Sequence, residues 1–106
     1  MKRFRFEEMK GGWFVGDFEP TAYRTSAAEV CFKLHHKGEE WPVHYHAVAT
    51  EINLVVRGMM RANGQLFEER DIFVVEPGEI IAPEFLSDCE LVVVKFPSLP
   101  GDKYTP

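Results

Sequence analysis

Two histidines and a glutamate lie close together near the middle of this 106-residue sequence. His44 and His46 are two positions apart, so on an extended strand both imidazoles point to the same face. Residues 47–50 then lead to Glu51 at the head of an apolar run, and a connection of this length suits a tight hairpin that places Glu51 opposite the histidines. Because imidazoles and carboxylates are common ligands of divalent ions, His44, His46 and Glu51 are predicted to form a metal site.

Two glycines flank these residues at fixed distances. Five residues separate Gly38 from His44, and six residues separate Glu51 from Gly58. In this pattern the sequence resembles the first motif of the cupin family. The resemblance implies an all-β fold, a small cupin-type β-barrel, also described as a double-stranded β-helix of jelly-roll type. Cupins include dioxygenases, isomerases, epimerases, storage proteins and sensory modules, so the fold alone does not carry a function.

The second cupin motif is matched only in part. Asp71 and Gly78 stand where the family has Asp and Gly. Three other fixed positions are lost, and they are occupied by Arg70, Glu76 and Ile81. Ile81 stands at the place of the third metal-binding histidine, and an isoleucine has no lone pair to offer a cation. We therefore expect Ile81 to line the pocket, together with Asn53, which shares a strand face with Glu51.

Three functions fit these residues. In the first, the two histidines and the glutamate hold Fe, Mn, Ni or Zn, with the remaining coordination positions open to a small molecule. In the second, the same groups act without metal as a general acid and base, as in cupin isomerases and epimerases acting on nucleotide-linked sugars. In the third, the pocket only binds a ligand. The sequence leaves open whether the protein is an enzyme.

The remaining sequence predicts one domain over residues 1–106, with an N-terminal arm (1–12) and a C-terminal tail (97–106) that runs over the surface. Frequent turn signals separate eight or nine short strands, which is typical of a β-sandwich or barrel. The clearest of these signals is the Asn63-Gly64 pair, which predicts a hairpin with a type I′ turn. If Glu51 points inward, the intervening Ile52, Leu54 and Val56 point outward. An apolar row of this kind needs a cover, which favours a homodimer.

Composition restricts the partners further. The formal net charge of −5 argues against nucleic acid and favours an uncharged or basic ligand. No apolar run approaches the roughly 20 residues that cross a bilayer, and a cytoplasmic location is expected. Cys31 and Cys89 are interpreted as reduced, buried side chains. His35 and His36 are adjacent and are interpreted as solvated turn residues.

Overall fold

Nine short strands and one turn of 3-10 helix (Phe6–Glu8) make up the regular structure of this computed structural model, which describes residues 1–106. The strands are β1 (Trp13–Gly16), β2 (Tyr23–Arg24), β3 (Glu29–His35), β4 (Thr50–Arg57), β5 (Met59–Ala62), β6 (Gln65–Glu68), β7 (Ile72–Val75), β8 (Pro83–Phe85) and β9 (Cys89–Phe96). The predicted all-β class is confirmed. No helix is long and apolar enough to cross a membrane.

The strands form two sheets that pack as a jelly-roll sandwich. The larger sheet has the order β2-β1-β3-β9-β4-β7, and the smaller has the order β6-β5-β8. The two sheets are not joined into a continuously hydrogen-bonded barrel, because the segment between them contributes only single bridges. His44 pairs with Ile81 and Tyr45 pairs with Tyr104, each as an isolated antiparallel bridge.

The core lies between the sheets and follows the predicted alternation. On β4, Glu51, Asn53 and Val55 are buried, whereas the intervening residues face outward. Inward apolar side chains from both sheets meet them and supply the hydrophobic free energy of folding. The largest members of this core are Met60, Phe73, Ile81, Phe85, Leu91 and Val93.

Two turns follow directly from their residues. The β5–β6 hairpin turns at Asn63 and Gly64, which both have positive φ (52° and 79°), as its predicted type I′ turn requires. Gly58 has a φ of 97°, and a Cβ there would lie 2.2 Å from the Asp88 carbonyl oxygen. The second glycine of the motif therefore combines a left-handed conformation with a close backbone contact that only glycine permits.

The predicted hairpin between the histidine segment and β4 is wrong. The neighbours of β4 are β9 and β7, and residues 47–49 instead cross from one sheet to the other. The C-terminal tail holds this crossing, so the tail does not simply run over the surface. Asp102 is buried, and its carboxylate accepts hydrogen bonds from the backbone N–H groups of Ala47, Val48 and Ala49.

The N-terminal arm packs on its own chain. The Phe6 ring meets the Phe32 ring edge-on, with centroids 6.0 Å apart, on the outer face of β3. Cys31 and Cys89 are both buried free thiols, as predicted. Burial raises the pKa of Cys31 to about 12, so this side chain remains a protonated thiol.

Candidate metal centre

The structure brings the three predicted ligands together. His44, His46 and Glu51 are all buried, and one ligand atom from each lies within 4.8 Å of the others. The two imidazole rings meet edge to face with centroids 5.2 Å apart. Although the predicted hairpin is wrong, the segment that leads into the crossing still places both histidines near Glu51.

Backbone carbonyl groups orient both imidazoles. His44 Nδ1 donates to the Pro42 carbonyl oxygen at 2.8 Å, and His46 Nδ1 donates to the Asp102 carbonyl oxygen at 2.5 Å. A carbonyl oxygen can only accept, so each Nδ1 carries the proton and each Nε2 of the neutral ring keeps its lone pair. Metal-binding histidines are commonly held by such an outer hydrogen bond.

Glu51 is oriented in the same way. Its Oε2 accepts a hydrogen bond of 2.9 Å from the Asn53 side-chain amide, which leaves Oε1 facing His46. His46 Nε2 lies 3.2 Å from Glu51 Oε1, but the geometry is not that of a hydrogen bond, and this buried nitrogen has no hydrogen-bond partner. A buried, unpartnered nitrogen beside a carboxylate oxygen suits a cation placed between them.

The protonation states follow from the surroundings of each group. Burial lowers the pKa of His44, which keeps its ring neutral near pH 7. The adjacent Glu51 carboxylate raises the pKa of His46, against the effect of burial. Burial raises the pKa of Glu51, but its contacts with His46 and Asn53 outweigh burial and leave that pKa below its usual range. A metal ion would bind the lone pairs of His46 Nε2 and Glu51 Oε1 in competition with a proton.

Asn53 and Ile81 line the same cavity, at the positions that the sequence predicts. Ile81 is buried and pairs directly with His44 across the isolated bridge. Side chains of directly opposed residues project to the same face with Cβ atoms about 5 Å apart. The isoleucine therefore occupies the place from which a third imidazole would reach the two histidines and Glu51.

The cavity measures about 440 Å³, and its wall includes charged residues that the sequence analysis did not single out. Lys33, Lys95 and Lys103 all line it, although the chain as a whole is acidic. The alternation of the strands contains the missing signal for two of them: Lys33 shares the inward face of β3 with the buried Cys31, and Lys95 continues the buried face of β9. Whole-chain charge is thus a poor guide to this cavity.

His35 also lines the cavity, and its interpretation as a solvated turn residue is wrong. Only 6% of its surface is exposed, its ring stacks on Phe85 at 4.1 Å, and its Nδ1 lies 2.5 Å from Glu39 Oε2. It is the last residue of β3 and has the inward phase of that strand, whereas His36 is exposed as predicted. The hydrogen bond from His35 lowers the pKa of Glu39.

Comparison with known proteins is informative at the level of structure. No family model and no curated protein matches the sequence. A Klebsiella pneumoniae protein with a double-stranded β-helix domain matches with a TM-score of 0.69 and 22% identity, over 76% of this chain and 71% of that one. An RmlC-like cupin from Shewanella frigidimarina matches with a TM-score of 0.64 and 20% identity, over 72% and 71%. DMSP lyase DddQ from Ruegeria pomeroyi matches with a TM-score of 0.71 and 14% identity, over 97% of this chain and 59% of the lyase.

These likenesses concern the fold, and they agree with the motif that contains Gly38, His44, His46, Glu51 and Gly58. The grouped histidines and glutamate fit a possible metal site of the kind this motif implies. By its architecture, this chain therefore has a cupin-type fold, an all-β double-stranded β-helix.

Proposed function

We propose that the protein binds a divalent metal ion through His44, His46 and Glu51, and that this ion helps to bind a small molecule in the adjoining cavity. Two imidazoles and one carboxylate suit Fe, Mn, Ni or Zn and leave coordination positions open. Such an ion supplies a Lewis-acidic centre to the bound molecule. The DMSP lyase is an enzyme by name, whereas the names of the other two neighbours state no activity, so the proposal is confined to binding.

The observation that carries this proposal is the hydrogen bonding on the outer side of each ligand. Pro42 and Asp102 occupy the Nδ1 positions of the two histidines, and Asn53 occupies one oxygen of Glu51. Each ligand therefore has one free atom, and those free atoms converge. Packing alone does not require this arrangement, because a structural histidine gains as much from hydrogen bonds at either nitrogen.

Metal analysis of the protein purified without chelator tests the proposal. We expect divalent metal approaching one ion per chain, and we expect the double substitution His44→Ala with His46→Ala to abolish it. His36→Ala is the matched control, because His36 is exposed and does not line the cavity. Added Mn, Fe, Ni or Zn should raise the melting temperature of chelator-treated protein, since a ligand that binds only the native state stabilises it.

Native protein that contains no metal and gains no stability from any of these ions would contradict the proposal. The metal-free acid-base function or the pure binding function would then be favoured. His35 lines the cavity and contacts Glu39, so it would offer the acid-base function a second histidine and carboxylate pair besides His46 and Glu51.

A further inference from the structure

Three of the four lysines that line the cavity lie near two tryptophan rings. Lys33 Nζ is 5.8 Å from the centre of the Trp13 ring and 5.7 Å from that of Trp41. Lys95 Nζ lies 4.8 Å from the Trp13 ring, and Lys103 Nζ lies 4.8 Å from the Trp41 ring. Cation–π contacts of this length orient ammonium groups without neutralising their charge.

Only one of these lysines has its charge compensated. Lys95 Nζ forms a 2.9 Å ion pair with Glu29, whose second oxygen accepts a hydrogen bond from Ser98. Lys33 and Lys103 have no carboxylate within 4.0 Å. Two positive charges therefore remain free at the edge of a partly desolvated cavity, where they attract anions more strongly than they would in open water.

Burial and neighbouring charged groups shift the pKa of Lys103. Burial lowers the pKa of Lys103, and repulsion from Lys95 and Lys33 lowers it further against the attraction of Glu51. An anion placed between these ammonium groups would relieve that repulsion. Apolar side chains such as Phe73 and Leu91 form another part of the wall, and they suit a hydrocarbon body better than a compact inorganic ion.

We propose that this cavity binds a small organic dicarboxylate, with one carboxylate held by Lys33 and Lys103 and the hydrocarbon body against the apolar wall. The second carboxylate would reach the ion held by His44, His46 and Glu51, and in that respect alone the inference rests on the proposed function. Charge-assisted hydrogen bonds from ammonium groups are among the stronger polar contacts in proteins.

A set of probes with the same four-carbon chain tests the ligand class. Succinate, succinamide and 1,4-diaminobutane are compared by isothermal titration and by thermal shift, on Mn-loaded and on chelator-treated protein. Succinate should bind and raise the melting temperature, whereas the neutral diamide and the diamine should not. Equal stabilisation by succinamide or the diamine would overturn the inference, as would inorganic phosphate binding as tightly as succinate.

Charge-removing variants assign the binding to these lysines. Lys33→Met and Lys103→Met keep the side-chain length without the charge, and each should weaken succinate binding by roughly tenfold, the effect of losing one charge-assisted contact. Lys2→Met with Lys37→Met is the matched control, because both lysines are exposed and lie outside the cavity. Unchanged succinate affinity in the folded Lys33→Met and Lys103→Met variants would overturn the inference.

The two proposals fail in different ways. If the metal site is wrong, no ion binds, yet succinate still binds chelator-treated protein in a manner that depends on Lys33 and Lys103. If the dicarboxylate inference is wrong, Mn binds through His44 and His46, yet succinate binding is absent or unaffected by the lysine substitutions.

Discussion

Each side chain of the candidate centre uses one of its two polar atoms for a hydrogen bond and presents the other to the centre. One nitrogen of His44 and of His46 is fixed by a backbone carbonyl group, and the other is free. Glu51 likewise divides its two oxygens between Asn53 and the centre. The centre is thus preorganised before any ion binds, so that less binding free energy is spent on ordering its ligands.

Ile81, which stands where the motif has its third histidine, is suited to a test by substitution. Ile81→His should add an imidazole opposite His44 and tighten Zn or Ni binding by roughly tenfold or more, since a tenfold change needs only about 1.4 kcal/mol. The competition of the protein with a chromophoric chelator measures this affinity. The added imidazole also places a polar group in the core, so metal-free protein should be less stable.

The neighbouring residue provides the control for this substitution. Ile80 is exposed, and successive residues of an extended segment point to opposite faces. Ile80→His should therefore leave the metal affinity unchanged. An Ile81→His protein that folds but binds metal no more tightly would show that position 81 does not face the centre.

Residue types and spacing were enough to predict that three polar side chains lie together, but not what surrounds them. His44, His46 and Glu51 are recognisable because a fixed motif places them within eight positions of one another. The carbonyl oxygen that orients His46 belongs to Asp102, which is 56 positions away in the chain. No local pattern in the sequence reports a hydrogen bond between such distant segments, because it depends on the folded path of the tail.

Among the structural elements, the tail is notable because its Asp102 carboxylate binds the crossing at residues 47–49, directly after the two histidines. Burial raises the pKa of Asp102, but hydrogen bonds from the N–H groups of Ala49, Val48 and Ala47 outweigh burial and place that pKa below its usual range. A carboxyl with a lower pKa in the folded state stabilises the fold above the unfolded-state value of about 3.9. That contribution is lost as the pH falls through the folded-state pKa.

We therefore predict that Asp102→Ala lowers the free energy of unfolding by about 2 kcal/mol at pH 7, because it leaves backbone N–H groups of the crossing segment unpaired. The difference between the two proteins should shrink as the pH falls below 4, where the wild-type carboxylate becomes protonated. Urea unfolding followed by circular dichroism over this pH range measures both effects. The substitution keeps the backbone carbonyl group, so the hydrogen bond to His46 survives in the folded protein.

Asp88→Ala is a suitable comparison, because Asp88 is exposed and accepts a single backbone hydrogen bond, from Lys37. We expect it to change the free energy of unfolding by about 0.5 kcal/mol or less. If the free energies of unfolding of wild type and Asp102→Ala differ by the same amount at all pH values, the ionised Asp102 carboxylate is not what stabilises the crossing.

The sequence predicted elements well where the determinants are local. The Asn63-Gly64 hairpin and the inward phase of β4 were predicted from neighbouring residues alone. The crossing at residues 47–49 was mistaken for a hairpin, because its length suits one and only its distant partners exclude it. Short strands such as β2 (Tyr23–Arg24) were missed because two residues show no periodicity.

At the scale of the whole molecule, the larger sheet has an outer face that the chain leaves open. Ile52 lies between Val74 on β7 and Val94 on β9, and Leu54 lies between Ile72 and Val92 in the same register. These six side chains form a continuous apolar patch, and Ile72 keeps 62% of its surface exposed. Apolar patches of this kind are typical of surfaces that bind another protein.

A second copy of the chain is the partner that this patch favours. The six side chains carry no charge, so two copies related by a twofold axis meet without like-charge repulsion, and the same residues are buried on both sides. The N-terminal arm contacts Phe32 on β3, whereas Ile72 and Val74 on β7 remain exposed. We therefore propose a homodimer that joins these faces and leaves the cavity on the inner side of the sheet free.

Light scattering coupled to size-exclusion chromatography tests this assembly. The wild-type protein should elute with twice the 12.2 kDa mass of one chain, and Ile72→Lys with Val74→Lys should convert it to a monomer, since lysines in the patch would meet their own copies across the axis. Leu66→Lys is the matched control, because Leu66 is a similarly exposed apolar residue on β6 of the other sheet.

Two results would contradict this dimer. A wild-type protein that is monomeric at tens of micromolar would exclude it. A dimer that survives the double substitution but is lost in Leu66→Lys would place the interface on the other sheet. Metal binding by the monomeric variant should persist, because His44, His46 and Glu51 and their hydrogen-bond partners all come from one chain.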